Sequence, residues 1–189
     1  MAARFKRTRA GIELRLDAFE AALLRSLVTQ LRDLVAPEEP ADADPLELIT
    51  GLTSGPPPTR PEDAVLARLL PDGYGGPDAD LDAEGRKAAG EFRRLTEYDL
   101  RAGKVADADA VLATTPPDGG RIVLERGTAE CWVRAITDVR LALGTRLGLT
   151  ENNMGDFERR QHDDPVRQLF GVYGWLSQLQ ETLVDALVD

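Results

Sequence analysis

Two long amphipathic stretches in the C-terminal third, WVRAITDVRLALGTRLGLT from Trp132 and LFGVYGWLSQLQETLVDALV from Leu169, constrain the fold of this chain most. Trp132, Ile136, Val139, Leu143 and Leu147 recur at helical spacing and fall on one face of the first. Val166, Leu169, Phe170, Tyr173, Leu176, Leu179, Leu183 and Leu187 do the same in the second. Helices with such stripes must bury them, and the simplest partner for each is the other. Thr128 reads as the N-cap of the first helix and Gly148 as its end. Asp164 before Pro165 opens the second, since proline is tolerated at the first helical position.

At the N-terminus the pattern is different. Phe5 to Ala10 and Gly11 to Leu16 read as two short strands, the second alternating Ile12, Leu14 and Leu16 with Glu13 and Arg15, and Gly11 turning the hairpin. Asp17 and Glu20 form a D-x-x-E capping signal. A helix is expected from about residue 18 to 35, with Phe19, Leu23, Leu27, Leu31 and Leu34 as its apolar face. Residues 36–62 form an acidic, proline-broken insert containing APEEPADADP and TSGPPPTRPE, with LELITGL between them able to make a short helix. DAVLARLL predicts another short helix, ending at Pro71, and DGYGGPDAD a turn-rich link.

Leu81 to Arg101 is helical in pattern, with Ala88, Phe92, Leu95 and Tyr98 on one side and pairs four apart at Arg93, Glu97 and Arg101. Lys104 to Thr114 predicts a further helix, stopped by Pro116 and Pro117. Ile122, Val123 and Leu124 between charged residues read as a third strand, which would make the hairpin a three-stranded antiparallel sheet. The expected architecture is mainly α with a small β component (α+β), a multi-helix bundle carrying that sheet in one domain spanning residues 1–189.

Catalytic machinery is not evident. Cys131, expected in the first turn of a helix where free N–H groups favour a thiolate, is the redox candidate, although adjacent Glu130 and the expected core residue Trp132 argue against activation and favour an inert, partly buried cysteine. As the chain's single cysteine it excludes an intrachain disulfide and fits a reducing cytoplasm. His162, the single histidine, precedes Asp163 and Asp164 with no nucleophile near, so a loop and capping role is expected. One Cys and one His do not make a zinc site. Glu38, Glu39, Asp42 and Asp44 lack the glycine and terminal glutamate of a calcium loop. Gly73, Gly75 and Gly76 do not have dinucleotide-loop spacing. No metal and no cofactor are expected.

Binding is therefore the expected role. The formal net charge of −10 opposes non-specific attraction to nucleic acid or anionic membrane. Arg4, Lys6, Arg7 and Arg9, followed by Arg15, nevertheless form a local basic cluster, read either as a charged strand that blocks edge pairing or as a weak contact to DNA. Trp132 and Tyr173 fall on apolar faces. Trp175 lies one helical step from Leu176, at the margin of its stripe, and is the aromatic candidate for a partner contact, with a place at the edge of the core as the favoured alternative. The basic start lacks the apolar region of a secretion signal, and no run is long enough to span a membrane. A cytoplasmic protein is expected.

The FKRTRAG opening, LLRSLVTQLRDLV, FRRLTEYDLR, WVRAITDVRLALGTRLGLT and VYGWLSQLQETLVDAL together make the chain resemble the actinobacterial AosR-like family, a group largely of unknown function that includes an oxidative-stress regulator. The resemblance implies a non-enzymatic, transcription-linked role in redox homeostasis through contact with an extracytoplasmic-function sigma factor or promoter complex. With Cys131 alone, a switch built on an intrachain disulfide does not carry over. An adaptor or scaffold with no nucleic-acid role is the alternative reading. Oligomeric state is not set by the sequence.

Overall fold

In the computed structural model, residues 3–37, 59–73, 81–161 and 163–188 are described. The LELITGL helix, the acidic cluster from Glu38 to Asp44, most of the glycine-rich link and His162 lie outside them. The elements run β1 (Lys6–Thr8), β2 (Gly11–Leu16), α1 (Ala18–Val35), α2 (Ala64–Leu69), α3 (Ala83–Thr114), β3 (Gly120–Leu124), α4 (Arg126–Leu147), α5 (Met154–Glu158) and α6 (Pro165–Val188). The mainly helical bundle with a three-stranded antiparallel sheet is thus the observed fold, with strand order β1-β2-β3.

Alternation along β2 fixes the two faces of the sheet. Ile12, Leu14 and Leu16 are buried together with Ile122 and Leu124 of β3, and the register pairs Ile12 with Leu124 and Leu14 with Ile122. The hairpin turn is Arg9 and Ala10, because Thr8 pairs with Gly11. Gly11 is the first residue of β2, at φ +129°, and a Cβ there would lie 2.5 Å from the carbonyl oxygen of Leu124. Its glycine is therefore required twice over, by backbone conformation and by space.

The capping box before α1 forms as expected: Asp17 Oδ1 accepts from Glu20 N at 2.8 Å, and Glu20 Oε2 accepts from Asp17 N at 3.0 Å. The buried stripe is a different one, however. Ala21, Leu24, Val28, Leu31 and Val35 face the core, Leu27 and Leu34 pack at its margin, and Phe19 is 75% exposed. So many leucines surround α1 that two neighbouring stripes satisfy the helical period, and the tertiary contacts choose the one containing small Ala21.

The two helices expected between Leu81 and Thr114 are one, α3, of 32 residues. Gly103 lowers helix propensity by about 1 kcal/mol relative to alanine but keeps its N–H, so it does not break the ladder as a proline would. In its first half, Phe92, Leu95 and Tyr98 are 42%, 55% and 44% exposed, while Ala89 and Arg93 face inward. The side that carries these apolar residues is thus the outer one. α4 also begins earlier than expected. β3 runs into it through one residue, Glu125, so Thr128 lies inside the helix rather than capping it.

α4 and α6 pack together through the stripes expected of them, with Ile136, Val139 and Leu143 on one and Leu176, Leu179 and Leu183 on the other buried in a core shared with the sheet, α1 and α3. Trp132 stands within it, fully buried. Its ring meets Phe5 edge-to-face at 5.6 Å, and its Nε1 donates to Thr114 Oγ1 at 2.9 Å. Gly148, at φ +64°, ends α4 where expected. Asp164 Oδ1 accepts from Val166 N at 2.8 Å at the start of α6.

Helix C-termini, whose last carbonyls lack intrahelical donors, are closed by arginines from elsewhere in the chain. Arg101 donates to Val35 O of α1 at 3.3 Å, and Arg93 to Leu70 O just after α2 at 3.1 Å. Arg25 donates to Leu112 O and Thr115 O at the end of α3. Arg7 and Arg126 donate to Ala186 O and Leu187 O of α6 at 3.4 and 3.2 Å. Positive charge is also favourable at a helix C-terminus. Much of the basic residue content therefore serves the fold.

Candidate functional site: the solvent face of the sheet

The N-terminal basic cluster divides when placed in three dimensions. Strand alternation puts Phe5 in the core and turns Arg4 and Lys6 to the opposite, solvent side. Arg7, paired with Ile12, shares the inner side and reaches the end of α6. Arg9 is exposed at the hairpin tip. Contiguity in sequence is thus not contiguity in space: only Arg4 and Lys6 share the outer face.

Two other cations join them there. Arg15 of β2 lies in register with Arg121 of β3, and Glu13, between Lys6 on one side and Val123 on the other, is the single carboxylate in that part of the face. Arg121 Nη2 donates to Glu13 Oε2 at 2.8 Å. This hydrogen bond holds the Glu13 carboxyl below its ordinary pKa, with Lys6 and Arg15 adding to the effect, and reciprocally raises that of Arg121. Among the described residues, Arg4, Lys6 and Arg15 lie within ion-pair distance of no carboxylate. Like charges directly opposite in a sheet are destabilising. Arg121 has the cross-strand bond to Glu13 in return, whereas Arg15 has no ion pair among the described residues to offset the repulsion.

An open groove follows this face, with Arg4, Lys6, Thr8 and Arg15 along one part and Asp17, Glu20 and Asp118 at the end where β2 meets α1. The surface can accept anionic groups over the strands and repels them beyond. In a chain of net charge −10 it is a local inversion of sign.

Cys131 is the sixth residue of α4, beyond the first turn in which it was expected. Its thiol is half-buried, and Arg134 Nη2 approaches Sγ at 3.3 Å. Arg134 is at the same time held by both oxygens of Asp107, at 2.7 Å each. Burial and then Asp107 push the thiol pKa up, outweighing the pull of Arg134. The group is held as the thiol. One turn further along, Lys104 donates to the buried Asp138 at 2.7 Å, whose own pKa is raised by burial against the pull of the lysine.

Trp175 packs against the margin of the core, and its buried Nε1 has no acceptor among the described residues. It stands seven residues before Thr182, the α6 residue that accepts from Phe5 N, or about 10 Å along the axis, and so is not part of the sheet face. Among the described residues, no three His, Cys, Asp or Glu side chains group to hold a metal ion, and no helix is long and apolar enough to cross a membrane.

Comparison with known proteins places this arrangement. The family described as "Domain of unknown function (DUF2017)" matches residues 1–187. The chain belongs to the DUF2017 family. Similar relatives are the oxidative stress regulator AosR of Mycobacterium tuberculosis and that of Mycobacterium bovis, each 38% identical over 197 aligned positions that cover 98% of this chain and 88% of the relative. No solved structure matches. In this DUF2017 chain the residue missed by sequence reasoning is Arg121, and Arg15 follows the basic cluster in sequence without being joined to it as a candidate. The alternation of β2 already sets Arg15 opposite its buried leucines. Arg121 joins it only through the pairing of strands more than a hundred residues apart.

Proposed function

We propose that this chain is a non-enzymatic, cytoplasmic regulator of the oxidative-stress response, acting by contact with the transcription machinery. The partner in this reading is an extracytoplasmic-function sigma factor or a promoter complex, and the contact surface is the cationic sheet face with Arg4 and Lys6. The observation that carries the role is similarity over nearly the whole chain to proteins named as oxidative stress regulators. A second reading, an adaptor with no nucleic-acid role, is favoured by the net charge of −10.

Deletion of the gene is expected to lower survival under peroxide, with restoration by the wild-type chain. Unchanged survival and unchanged stress transcripts in the deletion strain would reject the regulatory role. Cys131→Ser tests the redox candidate in the same complementation: loss of rescue with an intact fold assigns the response to the thiol, through a mixed or intermolecular disulfide because no second cysteine exists. Promoter DNA separates the two readings. If phosphates are contacted, affinity should fall steeply with salt and the fall should flatten when Arg4, Lys6, Arg7 and Arg9 become alanine. An adaptor has no such affinity to lose.

A further inference from the structure

We propose that the free edge of β3 accepts an extended acidic segment of a partner protein as a fourth strand, with a carboxylate on its solvent side in the row that Arg121 and, one strand further in, Arg15 share. The proposal deepens the regulatory reading by naming the chemistry of the partner. It starts from the edges of the sheet. β1 is closed on its outer side by α6, through Phe5 N donating to Thr182 Oγ1 and Arg7 to Ala186 O. β3 is hydrogen-bonded to β2 and, among the described residues, to no other strand. Its Gly120–Leu124 segment contains no proline, and its inner side chains Ile122 and Leu124 are already in the core. Such an edge presents ordered N–H and C=O groups to any extended chain.

Charge then selects the occupant. The solvent face beside that edge carries Arg121 and, across the register, Arg15, with Lys6 and Arg4 beyond, against the carboxylate of Glu13. A second copy of the chain would bring an equally cationic face alongside, so self-pairing is opposed. Duplex DNA carries a charge every ~1.7 Å and extends well past the patch. It would run onto the acidic end of the groove at Asp17, Glu20 and Asp118 and onto a surface that is negative overall. A peptide strand of β3's length spans only about 17 Å. Side chains alternate in such a strand, so the matching sequence alternates solvent-side acidic residues, of which the one in the row of Arg121 and Arg15 makes the main contact and the next lies towards Lys6, with apolar ones beneath.

Two labelled peptides of identical composition make the test on the purified full chain by fluorescence anisotropy: one alternating glutamate and valine, the other with its glutamates and valines in separate blocks. The alternating peptide should bind at least about tenfold more tightly. Its affinity should drop with salt and with Arg15→Ala, a substitution at an exposed side chain with no ion pair to lose, and more with Arg121→Ala, folding of both being checked by circular dichroism. Equal binding of the two peptides, insensitivity to Arg15→Ala, or tighter binding of duplex DNA than of the alternating peptide would each overturn the proposal. A failure here alongside peroxide sensitivity of the deletion strain rejects this surface while the regulatory role stands. Binding here without peroxide sensitivity does the reverse.

Discussion

Trp132→Ala is expected to destabilise the fold by about 3–5 kcal/mol, the range for truncating a fully buried tryptophan. The indole is 0% exposed and lies where the sheet, α3 and α4 meet. Its loss opens a cavity against Phe5, removes an edge-to-face ring contact and takes the donor from Thr114 Oγ1. Folded domains have only about 5–15 kcal/mol in hand, so the variant should unfold at much lower urea concentration. Trp132→Phe keeps a ring against Phe5 and should lose less. Trp175→Phe gives the contrast. Its buried Nε1 has no acceptor among the described residues, so removing it relieves a desolvation cost of about 1–3 kcal/mol that offsets the lost ring area. The chain has two tryptophans, and each variant leaves one as the fluorescence reporter of its own unfolding. Equal losses for Trp132→Phe and Trp175→Phe would contradict the placement of the two indoles.

That contrast also marks how far the sequence could be read. Position on a stripe suffices to send Trp132 to the core and Trp175 to its margin, because α4 and α6 each carry one apolar face and have nowhere else to put it. The capping box of α1 and the ends of α4 and α6 at Gly148 and Asp164 are local chemistry and were legible for the same reason. α1 itself offers apolar residues on too many sides, and its choice of Ala21, Leu24 and Val28 over Phe19 and Leu23 is made by what packs against it. α3 misleads further. Its visible apolar side faces out, since a charged residue, Arg93, anchors the inner side through partners distant in sequence. The candidate surface divides along the same line. Arg4 and Lys6 could be assigned to one face by alternation, whereas the junction of Arg15 with Arg121 and the removal of Arg7 to cap α6 require the assembled sheet.

The consequence of that buried arginine is measurable. Arg93 is 4% exposed and donates to Glu97 at 2.6 Å, to Asp72 at 2.7 Å and to the Leu70 carbonyl at 3.1 Å, so it ties α2 to α3. Burial opposes its charge, and the hydrogen bonds to Glu97 and Asp72 more than compensate, raising its pKa. Arg93→Ala leaves Asp72 without its cation and the Leu70 carbonyl without its donor, while Glu97 keeps Arg101 at 2.8 Å. Breaking a buried pair in this way costs about 3–5 kcal/mol, and the partial solvation of both carboxylates together with the remaining Arg101 contact places the expected loss near the lower bound, about 3 kcal/mol. Arg93→Lys should recover little of it, since an ammonium cannot reproduce the planar fork that meets three acceptors at once. The damage should also be local before it is global. In hydrogen exchange, amides of α2, which packs on α4 through Val65 and Leu69, should lose protection at a lower free energy than those of α6, whose contacts the substitution leaves untouched. Wild-type stability in Arg93→Ala, or equal loss of protection in α2 and α6, would mean that the arginine is not what ties the C-terminal end of α2 to α3.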